Sequence, residues 1–177
     1  MKADSFASST VMQSIPRSLR WFLSVFGLVA AAFGAELLPI EQQVADAVQS
    51  PKVTVVHFWA TWCANCRAEL VSGGWKKFIE ANPNVQVIFV TVRDEKAGAP
   101  ELAKYGIGSQ KNFTHLQHPN ASRRKDEEMT SFMGLRLGWI PATWVYRDGR
   151  QRFALNYGQI RFPILQQLVD DTDPKWD

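Results

Sequence analysis

The chain has 177 residues, 46% of them apolar and 21% charged, with a formal net charge of +3 and two cysteines. That composition describes a globular chain able to bury its own core, not a disordered or fibrous one. Much of the positive excess sits ahead of residue 36 (Lys2, Arg17 and Arg20 against Asp4), and the later run Arg123, Arg124, Lys125 is answered at once by Asp126, Glu127 and Glu128, a solvated face; nothing forms the basic stripe that nucleic-acid binding requires.

Arg17 and Arg20 precede fifteen uncharged residues, 21–35, which end in small side chains. This is the pattern of a signal peptide covering residues 1–35; the alternative is an uncleaved N-terminal anchor, for which fifteen residues are short of the roughly 20 that a spanning helix needs. Residues 36–177 are then one domain, expected outside the cytoplasm, in the periplasm or an equivalent compartment, where disulfides persist.

Residues 39–50 carry Ile40, Val44 and Val48 at helical spacing, with Glu41 in the first turn. Residues 53–59 are β-branched and aromatic almost without interruption, which suits a strand buried on both faces. Residues 64–80 read as a helix bent near Ser72-Gly73-Gly74, and residues 85–92 as a second buried strand. A short helix is expected over 100–105, a short strand near 113–116 and a helix over 122–133. Asp148-Gly149 between residues 143–146 and 152–157 signals a hairpin, and residues 164–169 close the chain as an amphipathic helix. The order implies an α/β fold, a mixed central sheet with helices on both faces.

The two cysteines, Cys63 and Cys66, stand where the first strand runs into the second helix. So short a loop removes little chain entropy, so a reactive pair is the better reading than a structural bridge. A helix N-terminus presents unpaired N–H groups and partial positive charge, which favour thiolate over thiol. Cys63 is therefore the expected nucleophile and Cys66 the residue that resolves the mixed disulfide. No second cysteine pair exists to complete a zinc site.

The run Phe-Trp-Ala-Thr-Trp-Cys-Ala-Asn-Cys-Arg-Ala-Glu-Leu, residues 58–70, resembles the thioredoxin superfamily and is most similar to its exported TlpA-like branch. The segment Gly138-Trp139-Ile140-Pro141-Ala142-Thr143 is similar to the one where that family places a cis-proline facing the cysteines, and Asp148-Gly149 and Gly158 match its closing hairpin. The resemblance covers about residues 50–170. It implies a thioredoxin-like fold and a thiol–disulfide oxidoreductase that exchanges disulfides with extracytoplasmic proteins and with an upstream redox partner. No cofactor or metal is called for, and a monomer is expected. It also implies that Pro141 is cis and holds the backbone of Ile140 open for an incoming strand, with Trp62 and Trp139 bordering the groove. The chain departs from the family pattern at Ala64-Asn65, at Val71 where a proline usually bends the helix, and at His57 where thioredoxins carry a buried acid.

His57 lies on the strand that ends at the cysteines and is expected beneath them, either as proton acceptor or donor for Cys66 or as a core histidine with no part in exchange. Trp59, Trp75 and Trp144 are expected in the core, and Arg67 and Glu69 on the solvent face of their helix. His115 and His118 read as exposed loop histidines. Two other chemistries are open to a cysteine pair in such a chain. Peroxide reduction looks for Thr or Ser three residues before the cysteine, where Ala60 stands. Copper(I) suits thiolates, but carriers of this fold space their cysteines differently.

Overall fold

The structure, a computed structural model, describes residues 36–156 and 158–172. The expected leader at 1–35, with Trp21, and the tail with Trp176 lie outside those residues. Among the described residues, five helices and seven strands run in the order α1 (Pro39–Val48), β1 (Thr54–Trp59), α2 (Ala64–Val71), α3 (Gly74–Ala81), β2 (Gln86–Thr91), α4 (Gly98–Ala103), β3 (Phe113–Gln117), β4 (Ser131–Phe132), β5 (Leu135–Arg136), β6 (Ala142–Arg147), β7 (Arg150–Leu155) and α5 (Phe162–Asp170).

The main sheet has the order β3-β2-β1-β6-β7. β1 pairs parallel with β2 and antiparallel with β6, and β2 pairs parallel with β3. As its composition foretells, every residue of the central strand β1 is buried. Strand alternation divides the core. Val55 and Trp59 join Trp75, Phe78, Phe89 and Leu165 in one cluster, whereas Val56 and Phe58 join Ile40, Val44, Phe132 and Trp144 in another. His57 falls on the face of Val55 and Trp59 and therefore under the layer that holds the cysteines. The expected α/β arrangement of a mixed sheet with helices on both faces is present.

The bend after α2 is made by Gly73 at φ +69°, and Ser72 accepts the Gly74 N–H through its Oγ at 3.1 Å. Asp148 and Gly149 both take positive φ between β6 and β7, the two-residue hairpin their sequence signals. One expected element is absent. Residues 122–130 form no helix, and a two-residue strand pair, β4 and β5, follows them. Side chains here take the backbone's bonds locally: Ser122 N–H donates to Asn120 Oδ1, and Asn120 Nδ2 to the Glu127 carbonyl. The buried apolar anchors, Met129 and Phe132, come too late to support a helix from residue 122.

Candidate active site

Cys63 is the N-cap of α2, and its Sγ accepts the Cys66 N–H at 3.3 Å. The two residues are joined as a disulfide. Both cysteines are buried, Cys63 at 6% exposure and Cys66 at 1%, so Cys63 is the less buried of the two. The orientation follows from the chain: residues 60–62 follow the C-terminal end of the central strand β1, Cys63 N–H closes a turn on the Ala60 carbonyl, and α2 begins. That turn is tied from the neighbouring strand end, because Thr61 N–H donates to Asp94 Oδ2 and Trp62 Nε1 to the Arg93 carbonyl at 2.7 Å.

On the other side the Ile140–Pro141 peptide is cis, and the Ile140 carbonyl oxygen lies 3.8 Å from Cys63 Sγ. Trp62 and Trp139, next in the chain to Cys63 and Ile140, are 40% and 71% exposed, while Trp59, Trp75 and Trp144 are buried in the core. The segment chosen for Pro141 and the pair Cys63–Cys66 are thus brought together.

Below the cysteines the structure corrects the sequence reading. Glu69 does not face solvent; it is 2% exposed, one helical turn beyond Cys66 on the same face of α2. Its Oε2 accepts the Trp75 Nε1–H at 2.9 Å and its Oε1 the Ile160 N–H at 2.8 Å. Burial raises its carboxyl to about 7, against the lowering effect of those two bonds. His57 Nε2 stands 3.4 Å from Glu69 Oε2, and His57 Nδ1 bonds Thr143 Oγ1 at 2.8 Å. The imidazole lies between Trp75 and Phe89, ring centroids 4.4 and 4.7 Å away, and burial pushes it down to about 3. It is neutral at pH 7, and its polar partners are Thr143 and Glu69, not Cys66. A cavity of about 190 Å³ has Glu69, Pro141, Thr143, Leu155 and Ile160 in its walls, linking the buried carboxyl to the cis-proline segment.

Arg67 is exposed as expected. The two remaining histidines are not: His118 is 3% exposed and accepts the Asn120 N–H, and His115 bonds Thr91 Oγ1 at 2.9 Å within the sheet. Each is absorbed by a local bond.

The sequence model of the thioredoxin family matches residues 39–128, which include β1, the cysteine pair and α2. The chain belongs to the thioredoxin family. Among solved structures, this family member is similar to a secreted Mycobacterium tuberculosis disulfide oxidoreductase homologous to E. coli DsbE, with a TM-score of 0.52 and 24% identity over 71% of this chain and 85% of that one. It is also similar to a DsbF homologue from Corynebacterium diphtheriae, with a TM-score of 0.53 and 20% identity over 71% and 74% of the two chains. None of the curated proteins matches it. Family membership and the Cys63–Cys66 disulfide place its chemistry among the thiol–disulfide oxidoreductases.

Glu69 is the residue that sequence reasoning passed over. The available signal was its spacing, three residues after Cys66, which puts a carboxylate on the face of the buried sulfur.

Proposed function

We propose that this thioredoxin-family protein exchanges disulfides with extracytoplasmic protein substrates, with Cys63 as nucleophile and Cys66 as resolving thiol. The observation that carries the assignment is the asymmetry of the pair: Cys63 is the N-cap of α2, where the helix N-terminus favours its thiolate, and is 6% exposed, while Cys66 lies within the helix at 1%. In the reductive direction, Cys63 thiolate attacks one sulfur of a substrate disulfide, and the other substrate sulfur leaves as thiolate. Cys66 thiolate then attacks Cys63 Sγ, forming the Cys63–Cys66 disulfide and releasing the second substrate thiolate. Two electrons pass to the substrate, and an upstream partner restores the dithiol by the same steps in reverse.

Cys66 must lose its proton before it can resolve the mixed disulfide. The group suited to take it is Glu69, whose carboxyl titrates near neutral pH on the same helix face. His57, a second candidate for that part by its place on β1, is better suited as a positioning residue. Its Nδ1 is held by the Thr143 hydroxyl and its Nε2 faces Glu69 Oε2, so the ring orients the carboxyl from below. The cavity beside Glu69 is roomy enough for water and gives the proton a way out. Trp62, Trp139, Ile140 and Pro141 border the opening above Cys63, where a substrate strand would lie.

Export is part of the proposal. It is supported by the uncharged stretch at residues 21–35 behind two arginines, and by the secreted Mycobacterium tuberculosis protein of similar fold. The role split is tested by Cys66→Ser, in which mixed disulfides accumulate on Cys63; a Cys63 that stays free of adducts in that variant overturns it.

A further inference from the structure

The residue before the nucleophile carries a cation. Arg123 stands over the indole of Trp62, its guanidinium carbon 4.2 Å from the ring centroid. Trp62 is itself held by its N–H on the Arg93 carbonyl, so the stack is fixed beside Cys63 and not free to swing away. The loop bearing Arg123 is fixed as well. Ser122 N–H donates to Asn120 Oδ1, and the buried Arg93 guanidinium binds the Met129 and Leu137 carbonyls at the loop's far end.

The two arginines of this loop differ in their company. Arg124 is engaged by Asp126 and Glu127, at 3.0 and 3.3 Å. Among the described residues no carboxylate lies within ion-pair distance of Arg123, whose recorded partner is the Trp62 ring. Glu95 and Glu127 share the open hollow beside it; Glu127 is bonded by Ser122 Oγ and Arg124, which leaves Glu95 as the nearby counter-charge. Asp94, the next acid toward the site, is buried and committed to the Thr61 and Lys96 N–H groups.

We infer that Arg123 selects substrates: it binds a carboxylate side chain carried within a few residues of the cysteine that reacts with Cys63. This rests on the exchange reading given above. A guanidinium already ordered on an aromatic face loses little freedom on engaging a carboxylate, and its planar fork suits a bidentate contact. A lysine at the same place on the substrate meets repulsion. The site is exposed, so the preference for an acidic over a neutral flank is modest, about two- to fivefold in rate, and it fades as salt shortens the screening length.

The test uses the full reduced protein and two peptides, identical except for Asp or Lys two residues before a single cysteine, each supplied as its disulfide-linked homodimer. Second-order reduction rates are measured at low and at high salt. The wild type reduces the Asp peptide at least twofold faster at low salt, and the ratio shrinks at high salt. Arg123→Lys keeps the preference, Arg123→Gln brings the ratio close to one, Arg123→Glu inverts it, and Arg124→Gln leaves it in place. A ratio in Arg123→Gln equal to that of wild type, with both peptides still reduced, overturns the inference and leaves the exchange reading standing. Reduction of neither peptide by wild type overturns the exchange reading and the role of Arg123 together.

Discussion

Replacing Glu69 by Gln isolates the electrostatic cost of the buried carboxyl. Burial raises that group from its ordinary 4.5 to about 7. The folded state therefore keeps a proton that the unfolded chain gives up near 4.5, and stability drains away as pH rises from 4.5 to 7. At 1.36 kcal/mol per unit, the shift integrates to about 2.5 kcal/mol between pH 5 and pH 8. Gln does not titrate and escapes this loss. It also has one acceptor oxygen where the ionised carboxylate offers two, to Trp75 Nε1 and Ile160 N–H, so the variant carries a cost of about 1–3 kcal/mol relative to the ionised group. The absolute change mixes the two effects; the change with pH does not. His57, pushed down to about 3, is neutral in the folded state across this range, so its contribution cancels in the comparison. Unfolding of both oxidised proteins by urea at pH 5 and pH 8 reads the difference. The variant's stability relative to wild type is expected to improve by about 2.5 kcal/mol from the lower pH to the higher, equivalent to about 5–10 °C in midpoint. Parallel pH curves would mean that the carboxyl titrates as an ordinary one, and would refute the burial argument.

Two further outcomes follow from packing. Arg93→Ala removes three guanidinium bonds from the buried Met129 and Leu137 carbonyls and is expected to cost about 2–4 kcal/mol, with amide exchange accelerating first over residues 129–137; unchanged exchange there would show that the loop does not depend on Arg93. Gly98→Ala drives a methyl group into Thr91 Oγ1, His115 Nε2 and the Trp59 ring, and a loss of about 1–3 kcal/mol in a denaturant titration is expected, where a neutral result would show the pocket has room.

What could be read in the sequence was whatever a local pattern decides. The β-branched run of β1, the cysteine pair at the start of α2, the break at Gly73 and the Asp148-Gly149 hairpin each follow from a few consecutive residues and stand where the sequence puts them. Glu69 shows where such reading stops. Its burial depends on Trp75 from the next helix and on the Ile160 N–H just ahead of α5, 91 residues away in the chain. Seen alone on α2, a glutamate between Ala68 and Leu70 shows its spacing from Cys66 but not the partners that bury it. The segment 122–130 failed for the opposite reason. Its charged residues suit a helix, but Asn120 and Ser122 turn their side chains back on the local backbone, and the buried residues at 129 and 132 anchor it as a loop. The stack of Arg123 on Trp62 was equally hidden, since 61 residues separate the partners and only the fold joins them.

The central claim, that Cys63 attacks and Cys66 resolves, is tested most directly with paired single-cysteine variants. Reduced Cys66→Ser and Cys63→Ser are each mixed with a peptide disulfide, quenched with acid, and weighed intact. The account predicts one peptide adduct per chain on Cys63 in Cys66→Ser, formed quickly at neutral pH because Cys63, the less buried of the pair, caps the N-terminus of α2. In Cys63→Ser it predicts no adduct on the same timescale, because Cys66 is 1% exposed. An adduct on Cys66 in Cys63→Ser, formed as fast as the one on Cys63, would contradict the assignment of both cysteines.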